Sequence, residues 1–235
     1  MSALHLSDLL RRDVSSDPVI TGVTADSRKV SPGALFVALP GTAADGRAFI
    51  PQALAQGAAA VLAPTDTPDG AAPVLVTSGD VRRAYAIAAR GFYGAQPKTC
   101  VAVTGTNGKT SVATFCRQIW AGIGHKSASM GTLGVIGQKG VKTYALTGPG
   151  LTSPDAAEAA RLMAELAAKD VTHVALEASS HGIDQRRLDG VALKAAAFTN
   201  LTQDHLDYHG TMADYRSAKT VSYTHLRAHE TGRNL

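Results

Sequence analysis

Apolar residues along the chain recur with two alternating periods. Unbroken apolar runs at residues 35–39, 58–62 and 73–77 are each bounded by Gly, Pro or Asp, and each predicts a buried strand. Residues 80–93 instead carry Val81, Tyr85, Ala88 and Phe92 at helical spacing, closed by Gly94-Ala95-Gln96-Pro97. Residues 99–103 return to a β-rich pattern, a Gly-rich turn follows, and residues 109–121 read as a helix. Ser153-Pro154-Asp155 predicts a helix start running to about Lys169, with a hydroxyl cap, Pro at the first helical position and an acid in the first turn. Residues 173–177 and 195–198 predict two further buried strands, and residues 212–219 a last helix.

Alternating strand and helix patterns imply an α/β protein. The breaker at residues 94–97 divides it into a small N-terminal α/β domain, residues 1–96, and a central domain, residues 97–220. The central domain reads as a P-loop-type, mostly parallel sheet that is incomplete, because a doubly wound sheet calls for more strands after the last helix. Residues 221–235 carry His225, Arg227, His229, Glu230 and Arg233 with no amphipathic period. The string from Ser222 to Thr231 resembles translated sequencing-adapter read-through, so the segment reads as an artefact and its histidines are given no role.

Composition narrows the class. With 45% hydrophobic and 18% charged residues the chain is globular, and with 5% aromatics its core is filled by Ala, Val and Leu. No apolar run approaches the ~18 residues of a membrane span. Asp8, Arg11 and Arg12 interrupt the N-terminus, so no signal peptide is expected. Cys100 and Cys116 are too few for a disulfide framework or zinc site, which fits a reducing, cytoplasmic location. A net charge of +4, without a basic block, gives no support to nucleic-acid binding.

The sharpest chemical signal is Gly105-Thr106-Asn107-Gly108-Lys109-Thr110 between a predicted strand and helix. Glycines let backbone N–H groups converge on phosphate oxygens, Lys109 adds a point charge, and the Thr110 hydroxyl suits Mg²⁺. The usual spacing places Gly where this chain has Val103, so the motif is a shortened variant; the bland alternative is a plain Gly-rich turn. Glu177 closes a predicted strand, where a carboxylate faces the ligand crevice and can hold Mg²⁺. Asp204, His205, Asp207 and His209 crowd one loop after the next strand, which suits a metal or phosphate role.

In order and spacing these blocks resemble the Mur ligase family over residues 20–220. The N-terminal blocks are Asp26-Ser27-Arg28 through Ala38 and Asp45-Gly46-Arg47 through Ile50. The central blocks are residues 105–110, Leu151-Thr152-Ser153-Pro154-Asp155, Glu177-Ala178-Ser179-Ser180-His181-Gly182, Asn200 to Gly210, and Tyr215-Arg216-Ser217-Ala218-Lys219. The resemblance implies an ATP-dependent amide ligase of peptidoglycan synthesis that adds the third residue, diaminopimelate or lysine, to UDP-MurNAc-L-Ala-D-Glu through an acyl phosphate. It implies ATP, two Mg²⁺ ions and a carbamylated Lys219 as cofactors. The muropeptide and an amino acid are the implied partners of a monomer, without nucleic acid or membrane.

By resemblance, Gly105, Thr106, Asn107, Gly108 and Lys109 hold the ATP phosphates, and Asn200 contacts the nucleotide. Thr110 and Glu177 match the first Mg²⁺ site, and His205 and carbamylated Lys219 the second. Lys109, Glu177, His205 and Lys219 are thereby the expected catalytic set. Ser27 matches the uridine-contacting loop, and Thr152, Ser153, Ser179, Gln185 and Arg187 match substrate-contacting positions. The family has three domains, and the one that receives the incoming amino acid has no counterpart here, so this polypeptide alone is expected not to complete ligation. The alternatives are another Mur or folylpolyglutamate-synthetase-like ligase, and a non-catalytic nucleotide- or UDP-sugar-binding module.

Overall fold

The computed structural model describes residues 4–41, 44–146 and 153–227. The backbone divides into two compact units, Met1–Gly94 and Ala95–Leu235.

The first unit contains β1 (Leu4–His5), α1 (Leu6–Leu10), β2 (Val19–Ile20), β3 (Gly22–Thr24), β4 (Ala34–Val37), α2 (Ile50–Ala55), β5 (Ala60–Pro64), β6 (Leu75–Ser78) and α3 (Val81–Tyr93). Strands β3-β4-β5-β6 form a wholly parallel sheet, and β1 and β2 form a small antiparallel pair. All four residues of β4 are buried, as befits a central parallel strand covered on both faces. Helix α3 turns Val81, Tyr85, Ala86, Ala88 and Ala89 inward and is capped by Asp80, whose side chain accepts from the Arg83 N–H. The predicted strands and helix are present here, displaced by one or two residues at their ends.

The second unit contains β7 (Thr99–Thr104), α4 (Lys109–Gly122), β8 (Ser127–Gly131), β9 (Gly134–Lys139), β10 (Lys142–Leu146), α5 (Ala156–Ala168), β11 (His173–Glu177), α6 (Ser180–Asp184), β12 (Leu193–Phe198), α7 (Leu206–His209) and α8 (Met212–Arg227). Its six-stranded sheet runs β10-β9-β8-β11-β7-β12. Strands β8, β11, β7 and β12 are mutually parallel, whereas β9 and β10 add an antiparallel extension, so the sheet is mixed. The parallel part aims its carboxyl ends, and hence the loops after β7, β11 and β12, toward one crevice. Leu162, Leu166, Val174, Leu176 and Cys100 fill the core on one side of the sheet, and Val103, Ala113 and Ala175 pack on the α4 side.

Two expectations are corrected. Ser153 does not cap α5 and Pro154 is not its first residue; Asp155 is the cap, its carboxylate accepting from the N–H groups of Ala157 and Glu158. An ionised carboxylate satisfies two first-turn donors at once, while the Ser153 hydroxyl is drawn into the interior. The last helix does not stop at Lys219 but runs on to Arg227.

Candidate active site

The loop between β7 and α4 is folded around two glycines. Gly105 has φ +135°, and a Cβ there would collide with Thr199 Oγ1 and lie 3.0 Å from Asn200 N and O. Gly108 takes φ +83° at the N-cap of α4, and no side chain caps this helix. The first-turn N–H groups of a 14-residue helix are therefore presented without a competing side-chain acceptor, the arrangement that receives an anion.

This loop is pinned to the segment after β12. The Thr106 N–H donates to the Asn200 carbonyl at 2.9 Å, and the Asn107 N–H to Asn200 Oδ1 at 3.0 Å. Asn200 Nδ2 donates back to the Asn107 carbonyl at 3.2 Å. Thr106 Oγ1 accepts from the Thr202 N–H at 3.0 Å and meets the Tyr215 hydroxyl at 3.1 Å. Asn200 thus braces the loop in this structure.

Lys109 Nζ donates to the carbonyls of Gly105 and Thr106 at 2.9 and 2.7 Å. An ammonium has three donors, so one stays available for a phosphate oxygen. Burial lowers its pKa, opposed by the negative charges of Glu177 and Asp204. Lys219 comes from the far end of the sequence to the same place, its Nζ donating to the Gly105 carbonyl at 2.8 Å. It is 1% exposed, and its pKa falls to about 8, first through burial and then through the charge of Lys109. Its Nζ also lies 4.5 Å from the centre of the Tyr215 ring, one helical turn earlier on α8.

Glu177, 4% exposed, closes β11. Its carboxylate accepts from Thr110 Oγ1 at 3.0 Å, from the Thr132 N–H at 3.0 Å and from Thr132 Oγ1 at 3.2 Å. All three donors are neutral, so the buried negative charge is hydrogen-bonded but not neutralised by them. Together, the Thr110 hydroxyl and the Glu177 carboxylate offer a hard cation the oxygen ligands it prefers. Among the described residues no three His, Cys, Asp or Glu side chains converge as a ready ligand set. His205, at φ +52°, immediately precedes α7 and sits with Asp204 and among aromatic rings: His181 at 4.9 Å and Tyr215 at 6.3 Å between centroids. His209, whose Nε2 is buried without a hydrogen bond, and Tyr208 complete this cluster.

Ser153 lies under the end of β11. Its hydroxyl donates to the Glu177 carbonyl at 3.2 Å and accepts from the Ser179 N–H and hydroxyl at 3.2 and 3.1 Å. Arg187 donates to the Ser153 carbonyl at 2.7 Å, and its Nε and Nη2 hold Gln185 Oε1 at 3.2 and 2.7 Å. Ser153, Ser179, Gln185 and Arg187 therefore form one connected polar group. Thr152 lies outside the described residues. In the first unit, Ser27 is buried in a short 3-10 turn capped by Asp26, its hydroxyl donating to Gln52 Oε1 at 2.9 Å.

Thr132, Thr199, Tyr208 and Tyr215 were not among the residues expected to build the site. Tyr215 stands one turn before Lys219, a spacing that could have flagged it. Thr132 sits in the turn of an unpredicted hairpin and left no sequence signal.

The family model described as the Mur ligase middle domain matches residues 103–231, and that described as the Mur ligase family catalytic domain matches residues 19–93. The UDP-N-acetylmuramoyl-L-alanyl-D-glutamate–2,6-diaminopimelate ligase of Caulobacter vibrioides is 64% identical over 216 residues, covering 92% of this chain and 44% of the relative. Its namesake from Rhizobium meliloti is 57% identical over 216 residues, covering 92% and 43%. A solved structure of a ligase of the same name superposes with a TM-score of 0.80 at 30% identity, covering 94% of this chain and 45% of that one. The chain thus spans less than half the length of the relatives it matches.

Proposed function

The chain belongs to the Mur ligase family, and we propose that it carries the nucleotide and muropeptide sites of the ligase that joins diaminopimelate to UDP-MurNAc-L-Ala-D-Glu at the expense of ATP. The choice of diaminopimelate rests on the names of the relatives. The observation that carries the reading is the Gly105–Thr110 turn, with Lys109 and Lys219 on one carbonyl and Thr110 3.0 Å from Glu177.

The reaction brings two anions together. A carboxylate oxygen of the muropeptide attacks the γ-phosphorus of ATP, the bond to ADP breaks, and an acyl phosphate forms. The amine of diaminopimelate then attacks the acyl carbon, loses a proton, and phosphate departs. In this reading the uncapped α4 N-terminus and Lys109 bind and orient the triphosphate, and Asn107, Thr106 and Asn200 hold the loop in shape. Thr110 and Glu177 would hold Mg²⁺, which supplies charge neutralisation when bound.

Lys219 is proposed to act as a carbamate. A fraction of its amine is neutral near pH 8, and a neutral amine adds CO₂ to give an N-carboxylate and a proton. The product exchanges a buried cation next to Lys109 for an anion, and with His205 it would supply ligands for a second Mg²⁺. Ser153, Ser179, Gln185 and Arg187 are assigned to the muropeptide, the Arg187 guanidinium supplying positive charge for a carboxylate or phosphate. Ser27 is assigned to the uridine end.

The test is isothermal titration of the 235-residue chain with Mg²⁺ and a non-hydrolysable ATP analogue. Lys109→Ala is expected to weaken binding roughly 10–100-fold, the equivalent of one charge-assisted hydrogen bond. Unchanged affinity would overturn the assignment.

A further inference from the structure

Hydrogen bonds fasten the nucleotide loop to the segment after β12, a second set ties Tyr208 to the residues assigned to the muropeptide, and the short backbone stretch from Thr202 to Tyr208 joins the two sets. The segment from Thr199 to Thr202 is fastened to the Gly105–Gly108 loop by Asn200 and Thr106. A few residues on, the single-turn helix α7 carries Tyr208. Its hydroxyl donates to Asp184 Oδ2 at 2.8 Å and accepts from Gln185 Nε2 at 3.3 Å. Gln185 passes the connection to Arg187, and Arg187 to the Ser153 carbonyl.

The ring of Tyr208 is fixed independently of its hydroxyl. It packs on His181 at 4.0 Å and edge-on to His209 at 4.8 Å between centroids. The backbone beneath it closes on itself, the His209 N–H donating to the His205 carbonyl at 3.0 Å and the Gly210 N–H to the Leu206 carbonyl at 2.9 Å. A rigid ring with its hydroxyl on Asp184 and Gln185 fixes the amide of Gln185. Gln185 Oε1 in turn takes two N–H groups of Arg187 and sets the plane of its guanidinium. A shift of the loop around Asn200 would therefore reach Arg187 through Tyr208.

We propose that Tyr208 is a positioning residue that couples nucleotide binding to muropeptide binding, by holding the Gln185–Arg187 pair in register with the Asn200 segment. The inference rests on the ligase reading given above, and adds to it a dependence of each ligand's affinity on the other. Coupling of this kind is reciprocal, so the same factor must appear from either side. The decisive quantity is the coupling factor itself.

The experiment titrates the full chain with UDP-MurNAc-L-Ala-D-Glu, with and without a saturating Mg²⁺–ATP analogue, and then in the reverse order. Tyr208→Phe keeps the ring and removes only the hydroxyl; thermal melting checks that the variant is folded. In the wild type each ligand is expected to tighten the other by about 5-fold or more, a typical allosteric coupling. In Tyr208→Phe the factor is expected to fall to about 1, while affinity for the nucleotide alone changes less than about 2-fold. A merely structural role would weaken both ligands and leave the factor intact. Two outcomes overturn the inference alone: both ligands binding the wild type without coupling, or equal coupling in wild type and variant. Failure of the wild type to bind either ligand would overturn the ligase reading, and this inference with it.

Discussion

The Nζ atoms of Lys109 and Lys219 donate to the same acceptor, the Gly105 carbonyl oxygen, at 2.9 and 2.8 Å. One lysine opens α4 and the other lies on α8, so the two helices meet at a single peptide group. Two ammonium groups on one neutral oxygen repel each other, and Lys219, the more buried, has its charged form disfavoured. Asp204 opposes this for both lysines without reversing it. An anion placed beside them relieves the repulsion, whether it is a triphosphate or a carbamate on Lys219 itself.

The first prediction concerns stability against pH. The pKa of Lys219 falls from 10.5 to about 8 on folding. Between these values the unfolded chain binds the extra proton, so this group makes stability rise with pH and withdraws that stability as pH falls through 8. Lys219→Met removes the buried charge, and Lys109 still satisfies the Gly105 carbonyl. In CO₂-free buffer at neutral pH the variant is expected to be more stable by roughly 1–3 kcal/mol, with the gain vanishing toward pH 10. Urea unfolding at a series of pH values measures it, and a gain independent of pH would contradict the account.

The second prediction concerns carbamylation. In ¹³C-bicarbonate near pH 8.5 the wild-type chain is expected to show a carbamate carbon resonance that Lys219→Arg lacks. A guanidinium stays protonated at any accessible pH and cannot add CO₂. The signal is expected to weaken as pH falls below the lysine's pKa of about 8, where the neutral amine is depleted. A resonance of equal strength in both proteins would place the reactive amine elsewhere.

Gly131 gives the third. A Cβ at this position, the end of β8, would collide with the Glu177 carboxylate. The obstacle is the far end of a flexible side chain, so Gly131→Ala moves the carboxylate rather than the backbone. Stability is expected to fall by only about 1–2 kcal/mol. The Mg²⁺-dependent increment in nucleotide affinity is expected to drop about 10-fold, with Mg²⁺-free binding unchanged within about 2-fold. Equal losses with and without the metal would argue against Glu177 as its ligand.

How much of this was legible beforehand depends on the kind of signal each element leaves. The strands around Leu35, Val61 and Val174 are unbroken apolar runs because helices cover both faces of a parallel sheet, and such runs stand out. The strand Ser127–Gly131 is just as buried, but all its residues except Met130 are small, and Arg117 on α4 reaches across it to Ser129 and Gln138. Small, polar and buried residues are the combination that β-propensity misses. The hairpin Gly134–Leu146 was hidden by its glycines, one of which, Gly137, lies where the Tyr144 ring leaves no room for a Cβ. At the site, the Gly105–Thr110 motif is local and was read from its spacing. Thr132 acts through tertiary proximity alone and left no local signal, whereas Tyr208 stands in the Asn200–Gly210 block, where its charged neighbours rather than its own ring carried the reading.

The fourth prediction separates two residues that adjoin the same helix. Asp155 caps α5 through bonds of 2.9 and 3.0 Å to the Ala157 and Glu158 N–H groups. Asp155→Ala is expected to cost about 1 kcal/mol, the usual worth of an N-cap, and to leave ligand binding unchanged. Ser153 is 3% exposed, and its hydroxyl ties the end of β11 to Ser179. Ser153→Ala removes the acceptor of the half-buried Ser179 N–H, at a cost of about 1 kcal/mol. It also loosens the loop on which Arg187 rests, so muropeptide affinity is expected to fall along with stability. Denaturant titration paired with muropeptide titration on both variants distinguishes the two roles. Were Asp155→Ala to weaken the muropeptide as much as Ser153→Ala, the helix start as a whole would be the binding element, and the separate assignment of Ser153 would fail.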